Sequence, residues 1–333
     1  MHFSLKQLQK QQNKSDIRVM AFLLFSLCIV GGVSLCAGET WYWPNQWMDD
    51  AARLFVWQIR LPRMLAVIVV GAGLAVTGAI MQALFENPLA EPGLLGISNG
   101  AGVAVVFTVL MSSGVTHYGV LSASAIIGAL LLTSLLLYFA KRKNLNNASL
   151  LLVGVALGVL SGACMTWMVY MSSNLDLRQL LYWMMGSFSG VDWRQMSLVV
   201  VCIPFLVWVT YQGNVLNYLS LGALQAYQLG ISVHKWRIIL IIISGVLIGL
   251  SVAIAGAISF IGLVIPHILR LSGLTNNRLL IPACAIAGAL GLLLADLLSR
   301  LLMANAEIPI GVITATLGAP VFILLLIRHQ QRR

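Results

Sequence analysis

Long apolar runs separated by short polar segments set the pattern of this chain. A helix crosses the hydrocarbon core of a bilayer in about 20 residues, so runs of this length predict transmembrane helices. The pattern predicts an all-α polytopic membrane protein with about ten transmembrane helices, in one transmembrane domain over residues 1–333. The eighth run is short for a crossing. The runs lie near 19–37, 64–84, 94–112, 119–140, 148–171, 196–211, 236–257, 259–271, 279–302 and 309–327.

One interruption between these runs is unusually rich in helix-breaking and polar residues. The segment 81–102 reads MQALFENPLAEPGLLGISNGAG and contains two prolines, four glycines and two glutamates. Non-helical backbone is tolerated at membrane depth only where protein buries it or where it lines a water-filled cavity. The segment is therefore either a re-entrant turn at the inner end of a transport path or an ordinary short loop between two spans.

The composition supports a membrane protein and limits the kinds of activity. Of 333 residues, 59% are hydrophobic and 9% are charged, whereas soluble domains contain roughly 25% charged residues. No phosphate-binding loop of the form G-x-x-x-x-G-K-[ST] occurs, so any ATP hydrolysis that drives transport must take place on another chain. The five cysteines lie in or beside apolar runs without a C-x-x-C pair. We expect them to be small buried residues, and we expect no disulfide, metal site or cofactor.

Basic residues predict the orientation of the chain. With a cytoplasmic N-terminus, the segments on the cytoplasmic side carry fourteen of the 20 lysines and arginines. This distribution satisfies the positive-inside rule and accounts for the net charge of +10 without nucleic acid as a partner. We expect both termini in the cytoplasm, with residues 1–18 as a cytoplasmic tail.

Small residues at four-residue spacing predict close helix packing in two of the spans. Such ridges let helix backbones approach each other in lipid, and they indicate a compact bundle or a subunit interface. We favour close packing over the lining of a path. The ridges are Gly154, Gly158 and Gly162 in the fifth run, and Gly245, Gly249, Ala253 and Ala257 in the seventh. A weak internal repeat also aligns the segment that starts at Arg63 with the segment that starts at Arg237. On the predicted topology the two copies enter from opposite sides, as in an inverted repeat.

Five segments resemble a known family: FVWQIRLPRMLAV, MQALFENPLAEPGLLGISNGAG, YWMMGSFSGVDWRQ, FIGLVIPHILRLSGLT and IPIGVITATLGAPVFI. They are similar to the iron–siderophore/cobalamin (FecCD) permease family of bacterial ABC importers, from about Ser34 to Ile327. The second and third segments resemble in particular the family members that import vitamin B12 (cobalamin).

The resemblance implies the type II ABC importer permease fold, with inverted repeats, in a multi-pass protein of the bacterial inner membrane. It also implies a homodimer that binds two copies of an ATP-binding subunit on the cytoplasmic face. A periplasmic cobalamin-binding protein would dock on the other face, and cobalamin would be the substrate that passes along the dimer axis. Within the same family, a ferric-siderophore permease is the alternative. An ion-coupled secondary transporter is a less favoured alternative, because almost all acidic residues lie in loops or at span ends.

A first set of residues implied by the resemblance is basic. Arg60 and Arg63, in QIRLPR, and Arg300 match family arginines that meet glutamates of the binding protein. Guanidinium–carboxylate pairing offers bidentate geometry and steers docking. The alternative is that these arginines extend to lipid headgroups as anchors at the membrane interface. Asp296 and Glu307 lie near the same end and could pair with Arg300 or face water.

A second set lies in the segment 216–233, which resembles the coupling helices that the family inserts into a groove of the ATPase. Its matching residues are Leu221, Gly222, Ala226, Leu229 and Gly230. Ala223 and Leu224 follow the first glycine, where the family usually has an acidic residue, and Tyr227 stands where a basic residue is common. An apolar contact with the ATPase is therefore expected at these positions, where the chain has no charged side chain. Without the resemblance, this segment is an amphipathic interfacial helix.

A third set matches the cytoplasmic gate of the family. Asn87 and Leu89 correspond to positions that narrow the inner end of the path. Asn146 and Asn147, followed by Ala148, replace hydroxyl residues in a second closure of the gate. Amides can hydrogen-bond across a two-fold axis. The alternative is a polar cap at the start of the fifth span, where asparagine is a good N-cap residue.

Overall fold

A computed structural model describes residues 5–93, 95–112, 117–142, 146–172, 180–181, 183–303 and 306–330. These residues form helices joined by short segments, and the described ranges contain no strand. The helices are α1 (Leu5–Cys36), α2 (Asp50–Leu84), α3 (Ile97–Met111), α4 (Tyr118–Arg142), α5 (Asn147–Tyr170), α6 (Met196–Tyr211), α7 (Gly213–Leu219), α8 (Ala223–Gln228), α9 (Val233–Ala255), α10 (Ile261–Leu271), α11 (Asn277–Leu301) and α12 (Ile310–Gln330).

The predicted all-α polytopic architecture is confirmed, since each predicted apolar run lies on one helix. Seven helices among the described residues are long and apolar enough to cross a membrane, and α3, α10 and the apolar part of α12 are shorter. Two helices begin earlier than the predicted apolar runs. The helix α1 begins at Leu5, so the described part of the expected tail continues the first span. The helix α2 begins at Asp50 and passes through a π-helical turn at Leu54–Arg60.

The helix α2 lies at the centre of the bundle and packs closely against two later helices. A Cβ atom added at Gly71 would overlap the backbone carbonyl of Gly288 in α11, and one added at Gly78 would overlap the backbone of Gly262 in α10. Close approach of this kind gives dispersion contacts in lipid, where the hydrophobic effect no longer drives helix association. Glycine is therefore required at these crossings for steric reasons.

The predicted glycine ridges pack as expected at four positions and not at a fifth. Gly245 faces Thr133 of α4, and Gly249 faces Ala129 of the same helix. On α5, glycines 154 and 158 face residues 95 and 96 respectively. At Gly162 a Cβ atom would meet nothing within 4 Å in this subunit. The third glycine of α5 therefore makes no close contact within the described subunit, and for it a subunit interface stays a prediction.

The segment between α2 and α3 turns back into the bundle. Its first residues lie beside the start of α5, because Glu86 contacts Asn147. Its last residue, Gly96, packs against Gly158, eleven residues further along α5. At a rise of about 1.5 Å per residue, the segment penetrates the bundle by about 16 Å. Of the two interpretations of 81–102, the structure therefore supports a re-entrant turn, and it explains why α3 is short.

A second turn precedes the other short helix, and the two turns touch. Phe260 has a φ of 70°, in the left-handed region, and α10 begins directly after it. Its backbone N–H donates to Glu91 Oε1 of the re-entrant segment at 3.1 Å. Both copies of the weak repeat thus fold as a long helix, a turn inside the bundle and a shorter helix, which supports the repeat.

The cysteines depart from expectation at two positions. Cys36, Cys202 and Cys284 are buried, whereas Cys28 and Cys164 are exposed at the surface of the subunit. The expectation of burial is wrong for these two because a surface that faces lipid is itself apolar, so hydropathy does not separate it from the core.

Candidate functional site

An arginine cluster lies at one end of the bundle and is built around one buried acid. Asp296 of α11 is 1% exposed, and its Oδ1 accepts from Arg63 Nε at 3.0 Å and Nη2 at 2.9 Å. Its Oδ2 lies 3.1 Å from Arg300 Nη2. The remaining amine of Arg63, Nη1, donates to Glu307 Oε1 at 2.7 Å. Two guanidinium groups therefore share one buried carboxylate, and only Arg63 also pairs with a second acid.

The other arginine of the cluster binds backbone instead of acids. Arg60 donates to the carbonyl oxygens of Leu35 at 3.0 Å, Cys36 at 2.7 Å and Thr40 at 2.7 Å. These carbonyls belong to the C-terminal end of α1 and the turn after it, where helix carbonyls lack partners and favour a cation. Gly38 gives the guanidinium its space, because a Cβ atom there would overlap Arg60 Nη2. These hydrogen bonds thus link the C-terminal end of α1 to α2.

The three arginines predicted for docking are brought together, but they are largely buried within the subunit. Arg60 is 7% exposed and Arg63 is 5% exposed. Together with Arg300 and Glu307 they line an open cavity of about 420 Å³. Glu307 is the accessible member of the ion-pair network, with a side chain that is 38% exposed. The arrangement places guanidinium groups at the wall of a depression, beside Glu39 and Glu307, instead of on extended side chains at the membrane interface.

A second polar group lies at the opposite end of α2. From Arg60 to Leu84 the helix rises about 36 Å at 1.5 Å per residue, and Glu86 follows directly. Asn147 donates from Nδ2 to Glu86 Oε1 at 2.9 Å and accepts at Oδ1 from Arg237 Nη2 at 2.5 Å. We call Glu86, Asn147 and Arg237 the polar junction.

The sequence did not predict the polar junction as a unit. The sequence marks Glu86 only as one of the two glutamates in segment 81–102, and Arg237 only as the start of the second copy of the repeat. The predicted topology could have indicated the polar junction, because all three residues lie at the end of a span that is predicted to face the cytoplasm. Charged and amide side chains confined to one end of a bundle have few partners except each other.

The predicted gate residues use their side chains locally. Asn87 Oδ1 accepts from the backbone N–H of Leu89 at 2.9 Å, which closes a turn in the re-entrant segment. Leu89 itself is 41% exposed. Asn146 accepts from the backbone N–H of Ser149 at 2.8 Å and forms the N-cap of α5. The alternative of a polar cap is therefore supported for Asn146, whereas Asn147 belongs to the polar junction.

The predicted coupling segment forms α7, α8 and the turns around them, with apolar side chains directed outward. Two of its five matched residues, Gly222 and Ala226, are buried within the subunit. Gly222 has a φ of 100° and Gly230 a φ of 82°, conformations that favour glycine. Four large apolar side chains are more than half exposed: Leu221 at 56%, Leu224 at 68%, Tyr227 at 74% and Leu229 at 56%. Leu224 and Tyr227, which depart from the family pattern, thus belong to this exposed surface.

The sequence matches the FecCD transport family over residues 19–328. The chain belongs to this family. A FecCD relative from Photorhabdus laumondii is 62% identical over 98% of this chain and 97% of its own length. Another, from Yersinia pseudotuberculosis, is 60% identical over 96% of each chain. Both are named vitamin B12 import system permease protein BtuC.

Solved structures agree with the FecCD assignment. A structure described as an inward-facing conformation of a metal-chelate type ABC transporter has a TM-score of 0.86 and 30% sequence identity. That likeness covers 93% of this chain and 99% of the other. PsaBC from Streptococcus pneumoniae, solved in complex with a Fab, has a TM-score of 0.51 at 16% identity and shares the fold alone. The chain therefore has the fold of an ABC transporter permease.

Proposed function

We propose that this chain is the membrane permease subunit of an ABC importer that moves vitamin B12 (cobalamin) across the bacterial inner membrane. The observation that carries the proposal is 62% identity, over 98% of the chain, to a vitamin B12 import permease. ATP hydrolysis would take place on a separate subunit, because the chain contains no phosphate-binding loop. We regard residues 1–333 as one permease domain.

The proposed assembly is a homodimer with two ATP-binding subunits and one periplasmic cobalamin-binding protein. Both termini would be cytoplasmic, as the positive-inside rule indicates. The polar junction and the coupling segment would then face the cytoplasm, and the arginine cluster would face the periplasm. This placement puts exposed apolar side chains where an ATPase would bind and positive charge where an acidic partner would dock.

For docking, we propose that Arg60, Arg63 and Arg300 attract acidic side chains of the binding protein. The cluster supports this role because its guanidinium groups line one cavity and are held in fixed positions by Asp296 and by backbone carbonyls. Fixed arginines lose little entropy when they pair with a carboxylate. The accessible Glu307 already holds Arg63, so a partner carboxylate would compete with it.

For coupling, we propose that the exposed surface of α7, α8 and the adjacent turns inserts into the ATPase. Exposed leucine and tyrosine side chains outside the membrane favour a protein partner, because they would otherwise contact water. The buried Gly222 and Ala226 would shape the segment, and Leu221, Leu224 and Leu229 would make the contact. At the gate, the exposed Leu89 would narrow the path, with Asn87 fixing its turn and Asn147 joining the turn to the start of α5. Asn146 would act as the cap of α5 and not as part of the gate.

The test is reconstitution of the chain with its ATPase and binding protein in liposomes, followed by uptake of radiolabelled cyanocobalamin. We expect uptake that requires both the binding protein and ATP. A ferric siderophore is the comparison substrate, because the metal-chelate type transporter has a TM-score of 0.86. Uptake of the siderophore in place of cobalamin, or uptake of cobalamin without ATP, would contradict the proposal.

A further inference from the structure

The polar junction connects three segments that are far apart in sequence. Glu86 lies directly before the gate residues, Asn147 starts α5, and Arg237 lies in the first turns of α9, which follows the coupling segment. Because Asn147 donates to the acid and accepts from the base, its amide is held in one orientation. Hydrogen bonds to charged groups are roughly twice as strong as neutral ones, so this link resists separation of the three segments.

The same carboxylate also borders the coupling segment from its other side. A Cβ atom added at Gly222 would lie 3.4 Å from Glu86 Oε2. Glu86 therefore lies against the turn that begins α8, while Arg237 holds the helix that follows α8. Displacement of α8 in either direction changes the surroundings of this one carboxylate.

The backbone of Glu86 has a strained conformation, as is expected where surrounding contacts hold a residue in place. Its φ of 52° lies in the left-handed region, which is disfavoured for a residue with a Cβ atom. Such conformations persist where the surroundings fix them, and they cluster at switch regions. Directly after Glu86, the side chain of Asn87 closes the turn that carries Leu89. A change in the backbone at Glu86 would therefore move the exposed leucine.

We propose that Glu86 is the positioning residue through which movement of the coupling segment reaches the gate at Asn87 and Leu89. The proposal rests on the proposed function, since it assumes that an ATPase moves the coupling segment. The carboxylate acts through Asn147 and Arg237 on one side and through the turn at Gly222 on the other. Its loss would leave ATP hydrolysis in place and disconnect it from the opening of the gate.

The first experiment measures the ratio of cobalamin transported to ATP hydrolysed in the complete reconstituted transporter. Glu86→Gln removes the charge, and Asn147→Asp replaces the donor to Glu86 by an acceptor while keeping the acceptor for Arg237. Both variants should hydrolyse ATP at the wild-type rate with a ratio that falls roughly 2- to 30-fold, the range of coupling changes seen on mutation between distant sites. The control is Asn146→Asp, an identical change one residue away, because aspartate caps a helix as well as asparagine.

The second experiment needs no cobalamin and follows the gate directly. Leu89→Cys is introduced after the two exposed native cysteines, Cys28 and Cys164, have been replaced by serine. The rate of labelling by a membrane-impermeant maleimide is measured with and without ATP and vanadate. Nucleotide should change the rate in the parent protein, and Glu86→Gln should abolish that change.

A wild-type ratio in Glu86→Gln, or a decrease of equal size in Asn146→Asp, would overturn the inference. If Glu86→Gln does not assemble with the ATPase, Asn147→Asp is judged by the same criterion. Failure of the wild-type complex to import cobalamin would refute the proposed function alone. The labelling experiment would then still decide whether Glu86 connects the coupling segment to the gate.

Discussion

Arg63 and Asp296 lie 233 positions apart in the chain and form a buried ion pair with an Nη2–Oδ1 distance of 2.9 Å. The pair joins α2 to α11 within the arginine cluster. Arg300 contacts the other oxygen of the same carboxylate at 3.1 Å. One acid thus lies between two arginines and reduces the repulsion between them inside the protein.

Asp296→Asn should destabilise the subunit strongly. The amide removes the counter-charge that two buried guanidinium groups share, although Arg63 keeps its pair with Glu307. Breaking a buried pair costs about 3–5 kcal/mol. Thermal unfolding of the purified subunit in detergent measures the effect. The control is Asp192→Asn, which removes the charge from a pair with Arg194 whose side chains are 43% and 85% exposed. That change should cost under about 1 kcal/mol. Equal losses in the two variants would show that Asp296 is not the centre of the cluster.

Glu307→Gln should strengthen binding of the loaded binding protein, if docking uses Arg63 as proposed. The substitution weakens the one accessible competitor for Arg63, and an exposed pair is worth about 0.2–1 kcal/mol, or up to about a fivefold gain in affinity. Binding to the subunit in lipid nanodiscs, at low and high salt, measures the effect.

The control for this prediction is Glu39→Gln. Glu39 lines the same cavity, whereas the ion pairs of Arg63 are to Asp296 and Glu307. Both variants remove one negative charge, so an equal gain in both would indicate general electrostatics. A gain in Glu307→Gln alone would indicate competition at Arg63, and no gain in either would contradict it.

Leu224→Glu should prevent stable association with the ATPase. The side chain is 68% exposed in the subunit, and burial of a leucine in a partner stabilises by about 1.5–3 kcal/mol. A charged side chain buried in that contact would oppose binding instead of stabilising it, so the affinity for the ATPase should fall at least about tenfold. Co-purification and titration of the ATPase measure the loss. Leu224→Met, which keeps an apolar side chain of similar size, should retain binding, and wild-type binding by Leu224→Glu would exclude this surface.

The order and extent of the helices could be predicted from the sequence because the bilayer imposes one strong rule. Backbone polar groups in lipid must be satisfied within a helix, so apolar runs of sufficient length identify the spans. The start of α2 was placed too late because Arg60 and Arg63 interrupt the run. Ion pairs and carbonyl contacts, which depend on residues distant in sequence, allow these charges to lie inside the helix.

The candidate sites were predicted in position and only partly in their partners, since the pairing of Asp296 with Arg300 is present as expected. Motifs indicated Arg63 and Asn147, yet the acids that hold them, Asp296 and Glu86, come from distant segments of the chain. Pairing of that kind is decided by packing. The exposed Leu224 and Tyr227 were noted only as departures from a family pattern. In the structure, the turns at Gly222 and Gly230 bracket a segment in which both side chains are exposed. Composition alone does not separate an outward leucine from a buried one in a membrane protein.

Gly78→Ala should destabilise the subunit because α2 and α10 cross at this residue. The added Cβ atom would overlap the backbone of Gly262, which cannot move aside as a flexible side chain would. Overpacking of a close contact costs about 1–3 kcal/mol or more. The thermal unfolding temperature in detergent, with the fraction of protein that elutes as a single species, measures the loss.

Gly162→Ala is the matched control for Gly78→Ala, since it adds the same methyl group to the interior of a helix. A Cβ atom there would meet nothing within 4 Å in the subunit, and alanine is favoured over glycine within a helix by about 0.5–1 kcal/mol. We expect an unchanged or slightly raised unfolding temperature for this variant. Equal unfolding temperatures for the two variants would contradict the close crossing of α2 and α10. A loss confined to Gly162→Ala would instead indicate that the outer face of α5 packs against a second subunit.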